Sequence, residues 1–192
     1  MLDNLRRSLG GVLDSLGRGA ARVVPRPTFW TVVGVFFALL AFVFYGGKHP
    51  AGAGLFLAAS GFFDVLDGSV ARSTGRASKG GAFLDSTLDR VSEVMVYAGI
   101  VLGGYLSPLF VLLALSFSLL VSYTRARADA LGINLAGVGI GERSERLIVL
   151  IVGSILSLVA LSVLLVLVLA LVTFVQRTVK VSRALAKPRG EG

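Results

Sequence analysis

From Leu147 to Val175 the chain runs without a single charged residue. That stretch is longer than the roughly 20 apolar residues a helix needs to cross a bilayer. It is not alone. Phe29–Tyr45 is also free of charge, and apolar segments follow at about 51–70, 82–103 and 109–123. A mean hydropathy of +0.83, with 55% hydrophobic residues, is too high for a soluble domain of 192 residues. Many of the 24 glycines fall inside the apolar segments, as expected where helices pack closely in lipid. The fold class expected is an all-α, polytopic membrane protein.

The last apolar run can be one long tilted span or two spans joined by a tight hairpin near Ser157–Ser162. Charge decides between them. Arg72, Arg76 and Lys79 follow the second segment, and Arg125 and Arg127 follow the fourth. The loops after the first and third carry only Lys48 and nothing basic, respectively. By the positive-inside rule the even-numbered ends are cytosolic. The tail, with Arg177, Lys180, Arg183, Lys187 and Arg189, is then cytosolic too, which requires an even count. Six spans are expected, the last two drawn as helices of about 20 residues each from Glu142–Arg183.

Ahead of these spans, Leu2, Leu5, Leu9, Leu13 and Leu16 recur at spacings of three and four, with Arg6, Arg7 and Arg18 on other faces. This is an amphipathic helix that lies on the membrane surface or packs onto another part of the protein. It lacks the continuous apolar core of a signal peptide. Pro25 and Pro27 end it. The organisation expected is therefore a juxtamembrane amphipathic helix over 1–24, a six-helix domain over 25–183 and a basic tail over 184–192. The net charge of +8 alternates with membrane spans rather than forming one basic face. Anionic head groups and phosphorylated substrates are the expected partners, and nucleic acid is not. With no cysteine and one histidine, His49 in a turn, thiol and zinc chemistry are excluded.

Four acids stand out against this apolar background, in the pattern Asp64-x2-Asp67-Gly68-x2-Ala71-Arg72-x8-Gly81-x3-Asp85-x3-Asp89. Carboxylates near membrane depth are costly and mark function. On a helix, Asp64 and Asp67 lie about 60° apart around the axis, and Asp85 and Asp89 about 40° apart. A short polar connector, Ser73–Gly80, brings the two pairs together. Four converging acids repel one another unless cations lie between them. Hard oxygen ligands suit Mg²⁺, or Mn²⁺ or Ca²⁺ in its place.

All eight fixed positions of this pattern match the signature of the CDP-alcohol phosphotransferases, and the chain resembles that family over its whole membrane region. The resemblance implies six helices around a polar cavity open to the cytosol, a preceding surface helix and a homodimer. It also implies transfer of a phosphoalkyl group from a CDP-linked alcohol to an acceptor hydroxyl, with release of CMP. By resemblance Asp64, Asp67 and Asp85 bind metal, and Asp89 binds a second ion and acts as the general base. Two Mg²⁺ ions are implied, with Mn²⁺ able to replace them. Gly68 and Gly81 leave room for the nucleotide, Arg72 forks onto phosphate, and Ser78 contacts the CDP moiety. Pro27-Thr28-Phe29-Trp30-Thr31 resembles the family's P-[N/D]-x-x-T start of the first helix, so Thr28, Phe29 and Thr31 line the nucleotide site. Thr28 replaces the usual Asn or Asp and is expected to cap the helix start.

Three further elements, Ser122-Tyr123-Thr124-Arg125-Ala126-Arg127-Ala128, Glu142-Arg143-Ser144-Glu145-Arg146-Leu147 and Gln176-Arg177, resemble those of the inositol-phosphate branch. The resemblance makes Arg125, Arg143 and Arg177 the holders of the inositol phosphate group. Arg143, remote in sequence from the aspartates, is expected to touch only that acceptor phosphate. The activity implied joins a CDP-linked lipid, CDP-diacylglycerol or CDP-archaeol, to inositol 1-phosphate. Glycerol phosphate is the alternative acceptor. A cation channel or transporter is the alternative of another class, and it calls for polar residues threading several spans.

Overall fold

The computed structural model describes residues 10–186, which form seven helices and no strand. They are α1 (Gly10–Val23), α2 (Pro27–Gly46), α3 (Pro50–Ser73), α4 (Lys79–Gly103), α5 (Pro108–Ala130), α6 (Arg143–Ile155) and α7 (Val159–Leu185). The expected leucines 2, 5 and 9, Arg6 and Arg7, and the tail residues Lys187 and Arg189 lie outside the described residues.

Local chemistry sets these boundaries. Pro27, Pro50 and Pro108 open α2, α3 and α5, where a missing N–H costs nothing. The Ser78 hydroxyl accepts from the Gly81 N–H and caps α4. Gly104, left-handed at φ 67°, closes it. Glu145 reaches back to accept from the Glu142 N–H at 2.6 Å and caps α6. The N-terminal cap of α2 is the backbone of Arg26, and Thr28 sits inside the helix without capping it. Pro27 occupies the first helical position, which moves Thr28 past the place where its hydroxyl could reach a free N–H.

The last apolar run is split in two by a turn at Leu156–Leu158, where Ser157 has φ 59°. The split is uneven. α6 has 13 residues and α7 has 27, against the roughly equal helices expected. A long loop from 131 to 142 consumes the chain ahead of α6, and α7 continues into the basic tail. Four helices, α2, α3, α5 and α7, are long and apolar enough to cross a membrane. α4 carries Asp85, Asp89, Arg90 and Glu93 along its length, and α6 is short.

α2 packs on both α3 and α4, α3 on α6, α5 on α7, and α6 on α7. The core contains Tyr45, Leu57, Val96, Ile100, Val111 and Val163. Small residues let the helices approach, as at Gly99, where a Cβ would lie 2.9 Å from Phe42 Cα. Val32, Phe36, Leu39 and Val43 form an outward apolar stripe on α2 at helical spacing. α1 packs on α3, and a Cβ at Gly17 would come within 2.8 Å of the Ser69 carbonyl. The short connectors alternate the direction of successive helices. The end of α3, the start of α4, the end of α5, the start of α6 and the last third of α7 therefore meet at one end of the bundle.

Candidate active site

A cavity of about 1250 Å³ opens at that end. All four signature aspartates line it, as do Gly68, Arg72, Arg125, Arg143 and Arg177. Residues drawn from five helices, from Asp64 to Arg177 in sequence, thus share one volume.

Asp64, Asp67 and Asp85 each place one carboxylate oxygen within 4.8 Å of the others. Asp67 is buried, and its Oδ2 has no hydrogen-bond partner; Asp85 Oδ1 is likewise buried and unpartnered. Unpaired carboxylate oxygens in a crowded, half-buried place are costly unless a cation sits among them. Three hard oxygen donors fit Mg²⁺ or Mn²⁺. Asp89 is not part of that trio. Its Oδ1 forms an ion pair with Arg143 Nη2 at 2.7 Å, and its Oδ2 lies 3.8 Å from Arg90 Nη2.

Arg143 departs from expectation. It does not stand apart from the aspartates but bridges them, donating to Asp64 Oδ2 at 2.9 Å and forming an ion pair with Asp89. The reason is the capped start of α6, which points its first residue at the α3–α4 junction. Arg177 is 2% exposed. It donates to the Val138 carbonyl (2.9 Å), the Val121 carbonyl (2.8 Å) and Glu142 Oε1 (3.2 Å). Arg125 is exposed at the cavity wall. Arg125, Arg143 and Arg177 therefore share the cavity but differ in anchoring.

On the donor side, Arg72 lines the cavity and donates to Ser69 Oγ at 2.9 Å. A Cβ at Gly68 would meet only Arg72 Nη1, at 3.3 Å, so the α3 backbone is bare toward the cavity. Thr31 is buried and its hydroxyl faces Asp67, while Thr28 and Phe29 are exposed. Ser78 and Gly81 lie outside the cavity lining, occupied with each other at the α4 cap.

Sequence reading missed Glu93, Arg146 and Arg90. Arg146 is 2% exposed and donates to the Gly141 carbonyl at 2.7 Å. Glu93 meets both Arg146 and Arg90. One signal was available: Glu93 continues the four-residue stripe Asp85–Asp89 along the same face of α4.

Residues 25–176 match the family model for CDP-alcohol phosphatidyltransferase. The archaetidylinositol phosphate synthase of Pyrococcus horikoshii is 37% identical over 185 residues, covering 96% of this chain and 98% of its own. That of Methanothermobacter thermautotrophicus is 46% identical over 155 residues, covering 80% and 77%. The phosphatidylinositol phosphate synthase of Mycobacterium tuberculosis, in the crystal structure with CDP-DAG bound, superposes with a TM-score of 0.80 at 28% identity, covering 93% of this chain and 96% of that one. Its complex with manganese and citrate gives the same TM-score and identity, covering 92% and 90%. The chain belongs to the CDP-alcohol phosphatidyltransferase family and is an enzyme of that class. Membership removes the channel or transporter alternative.

Proposed function

We propose that this enzyme transfers a phosphatidyl or archaetidyl group from a CDP-linked lipid to inositol 1-phosphate and releases CMP. One observation carries the acceptor assignment. Arg125, Arg143 and Arg177 come from three helices to line the cavity that holds the aspartates. A phosphorylated acceptor needs an anion pocket of its own beside the donor diphosphate, and guanidiniums provide it. The names of the relatives point the same way.

Asp64, Asp67 and Asp85 hold the divalent ion, and Asp89 contributes to a second. Bound Mg²⁺ supplies neutralisation of the diphosphate and stabilisation of the CMP leaving group. Arg72 forks onto the donor phosphates. Gly68 admits the nucleotide against bare backbone, and Thr28, Phe29 and Thr31 edge it from α2, with Ser78 and Gly81 at the rim. Arg143 spans the donor and acceptor halves. It anchors the acceptor phosphate and holds Asp89, which accepts the proton of the attacking hydroxyl.

Residues 25–183 form the catalytic unit, preceded by the juxtamembrane helix α1 (Gly10–Val23) and followed in sequence by a basic segment. All of α2–α7 traverse or enter the bilayer, with both termini and the cavity on the cytosolic side, a reading supported by the basic residues at that end. The amphipathic α1 lies along that surface while packed on α3. The family resemblance extends to a homodimer, which cross-linking in native membranes tests.

Purified protein, CDP-lipid, Mg²⁺ and a panel of acceptors, with CMP detected, test the assignment. Inositol 1-phosphate is the expected best acceptor. Preference for glycerol phosphate would move the enzyme to a glycerophosphate-type synthase, and preference for free inositol would remove the need for the arginine pocket.

A further inference from the structure

Behind the site runs a chain of alternating charges. Arg146 Nη2 lies 3.4 Å from Glu93 Oε1, and Glu93 Oε2 lies 3.6 Å from Arg90 Nη1. Arg90 Nη2 lies 3.8 Å from Asp89 Oδ2, Asp89 Oδ1 lies 2.7 Å from Arg143 Nη2, and Arg143 Nη1 lies 2.9 Å from Asp64 Oδ2. Each interior member uses both ends of its side chain. The order is basic, acidic, basic, acidic, basic, acidic, and it passes from α6 to α4, back to α6 and on to α3.

Its inner end is fixed. Arg146 is 2% exposed and held by the Gly141 carbonyl. Arg90 is tied to α5 through a 2.6 Å hydrogen bond to Ser122 Oγ. Glu93 and Arg146 also wall a second cavity of about 40 Å³ that shares Arg143 with the larger one. Asp89 and Glu93 are carboxylates one helical turn apart, and like charges at that spacing repel. Arg90 stands between them and turns the repulsion into a linkage. Asp89, the carboxylate whose position the transfer depends on, sits within the chain between Arg90 and Arg143.

We infer that Glu93 is a positioning residue, holding Arg90 and Arg146 so that Asp89 is fixed to receive the acceptor proton. This role rests on Asp89 acting as the base proposed above. Glu93 faces neither phosphate directly, and it acts through Arg90. Asp67 and Asp85 are not members of the chain, and Asp64 meets it only at the far end, through Arg143.

The test compares Glu93→Gln, Glu93→Asp, Arg90→Met and the double variant E93Q/R90M with the wild type in the full-length protein. Mn²⁺ affinity is read by electron paramagnetic resonance alongside kcat and both KM values. CMP release by the wild type upholds the phosphotransferase assignment independently of the variants. Glu93→Gln is expected to lower kcat about 10- to 100-fold, as removal of a partner that orients a catalytic group does. Both KM values and the affinity of the Mn²⁺ site formed by Asp64, Asp67 and Asp85 stay within about twofold, because those ligands and the pocket arginines remain. Glu93→Asp recovers part of the rate. The double variant is no slower than the slower single one, since both changes cut one linkage. Wild-type kcat in Glu93→Gln, a parallel loss of Mn²⁺ affinity, or additive losses in the double variant would overturn the role. Should Glu93→Gln fail to fold, Arg90→Met, at a side chain 30% exposed, carries the same test.

Discussion

Arg143 donates to Asp64 across 79 positions of sequence, and the 2.9 Å hydrogen bond joins the start of α6 to the end of α3. The same guanidinium holds Asp89 at 2.7 Å. A residue placed in the acceptor pocket by resemblance thus also belongs to the carboxylate cluster. Arg143→Ala is expected to raise the KM for inositol 1-phosphate and to lower kcat as well. Each charge-assisted hydrogen bond that the substitution removes is worth about 1.5–3 kcal/mol, or roughly 10- to 150-fold. Steady-state kinetics with each substrate varied in turn separates the two effects. An unchanged acceptor KM would remove Arg143 from the acceptor pocket, and an unchanged kcat would show that its grip on Asp89 is idle.

Metal removal probes the other carboxylates. Asp67 Oδ2 and Asp85 Oδ1 lack any partner in the protein, and Asp64 lies close by. Chelation is expected to stop CMP release completely, with Mg²⁺ or Mn²⁺ restoring it. Three acids facing a diphosphate repel it without a cation between them. Full turnover in excess chelator would sink the metal assignment. Asp64→Asn should weaken both metal and CDP-lipid binding, whereas Asp89→Asn should abolish turnover and leave CDP-lipid binding largely intact.

Much of this arrangement is legible in the order of residues alone, because the spacing of the four aspartates and the charge-free runs report local geometry directly. Helical period places Asp64 beside Asp67, and the charge-free runs mark the four helices long and apolar enough to cross a membrane. The rest depends on contacts between distant segments. The motif Glu142–Leu147 shows why. Its four charged residues look alike in sequence, yet Glu145 caps α6, Glu142 pairs with Arg177, Arg143 enters the site and Arg146 is buried beneath it. No periodicity assigns those roles; the angle at which α6 starts does. The uneven lengths of α6 and α7 follow from where the 131–142 loop docks, which is also a long-range matter.

That loop yields a prediction of its own. Gly139 has φ 115°, and a Cβ there would fall 2.3 Å from Thr173 Cγ2 on α7. Two residues later the Gly141 N–H donates to Thr173 Oγ1 at 2.9 Å. Gly139→Ala combines backbone strain with a clash and pushes the loop off α7. A loss of about 1–3 kcal/mol of stability is expected, with a lower Tm in detergent and a raised acceptor KM as α6 shifts. Gly132→Ala, at φ 74° with open space around it, carries the strain without the clash and should cost less. Equal effects from the two would deny the loop's docking role.

The final prediction separates two arginines that sequence treats as equivalent. Arg125 is exposed on the cavity wall, with a side chain free to meet an incoming phosphate. Arg177 is buried and already bonded to the Val121 and Val138 carbonyls and to Glu142. Arg125→Ala should therefore raise the KM for inositol 1-phosphate, by about 10-fold or more if it removes a charge-assisted hydrogen bond, and leave Tm unchanged. Arg177→Ala strands two carbonyls and a carboxylate. Leaving buried polar groups unpaired costs on the order of 1–3 kcal/mol, so this variant should lose thermal stability as well as acceptor affinity. The substitution Glu142→Gln, which keeps the shape but weakens the pairing with Arg177, should reproduce a smaller part of that loss. Thermal unfolding in the same detergent, run beside the acceptor KM, decides the matter. A stable Arg177→Ala with only a raised KM would mean that Arg177 belongs to the substrate alone and that its bonds to the α5 end and the 131–142 loop contribute nothing to holding the cavity's shape.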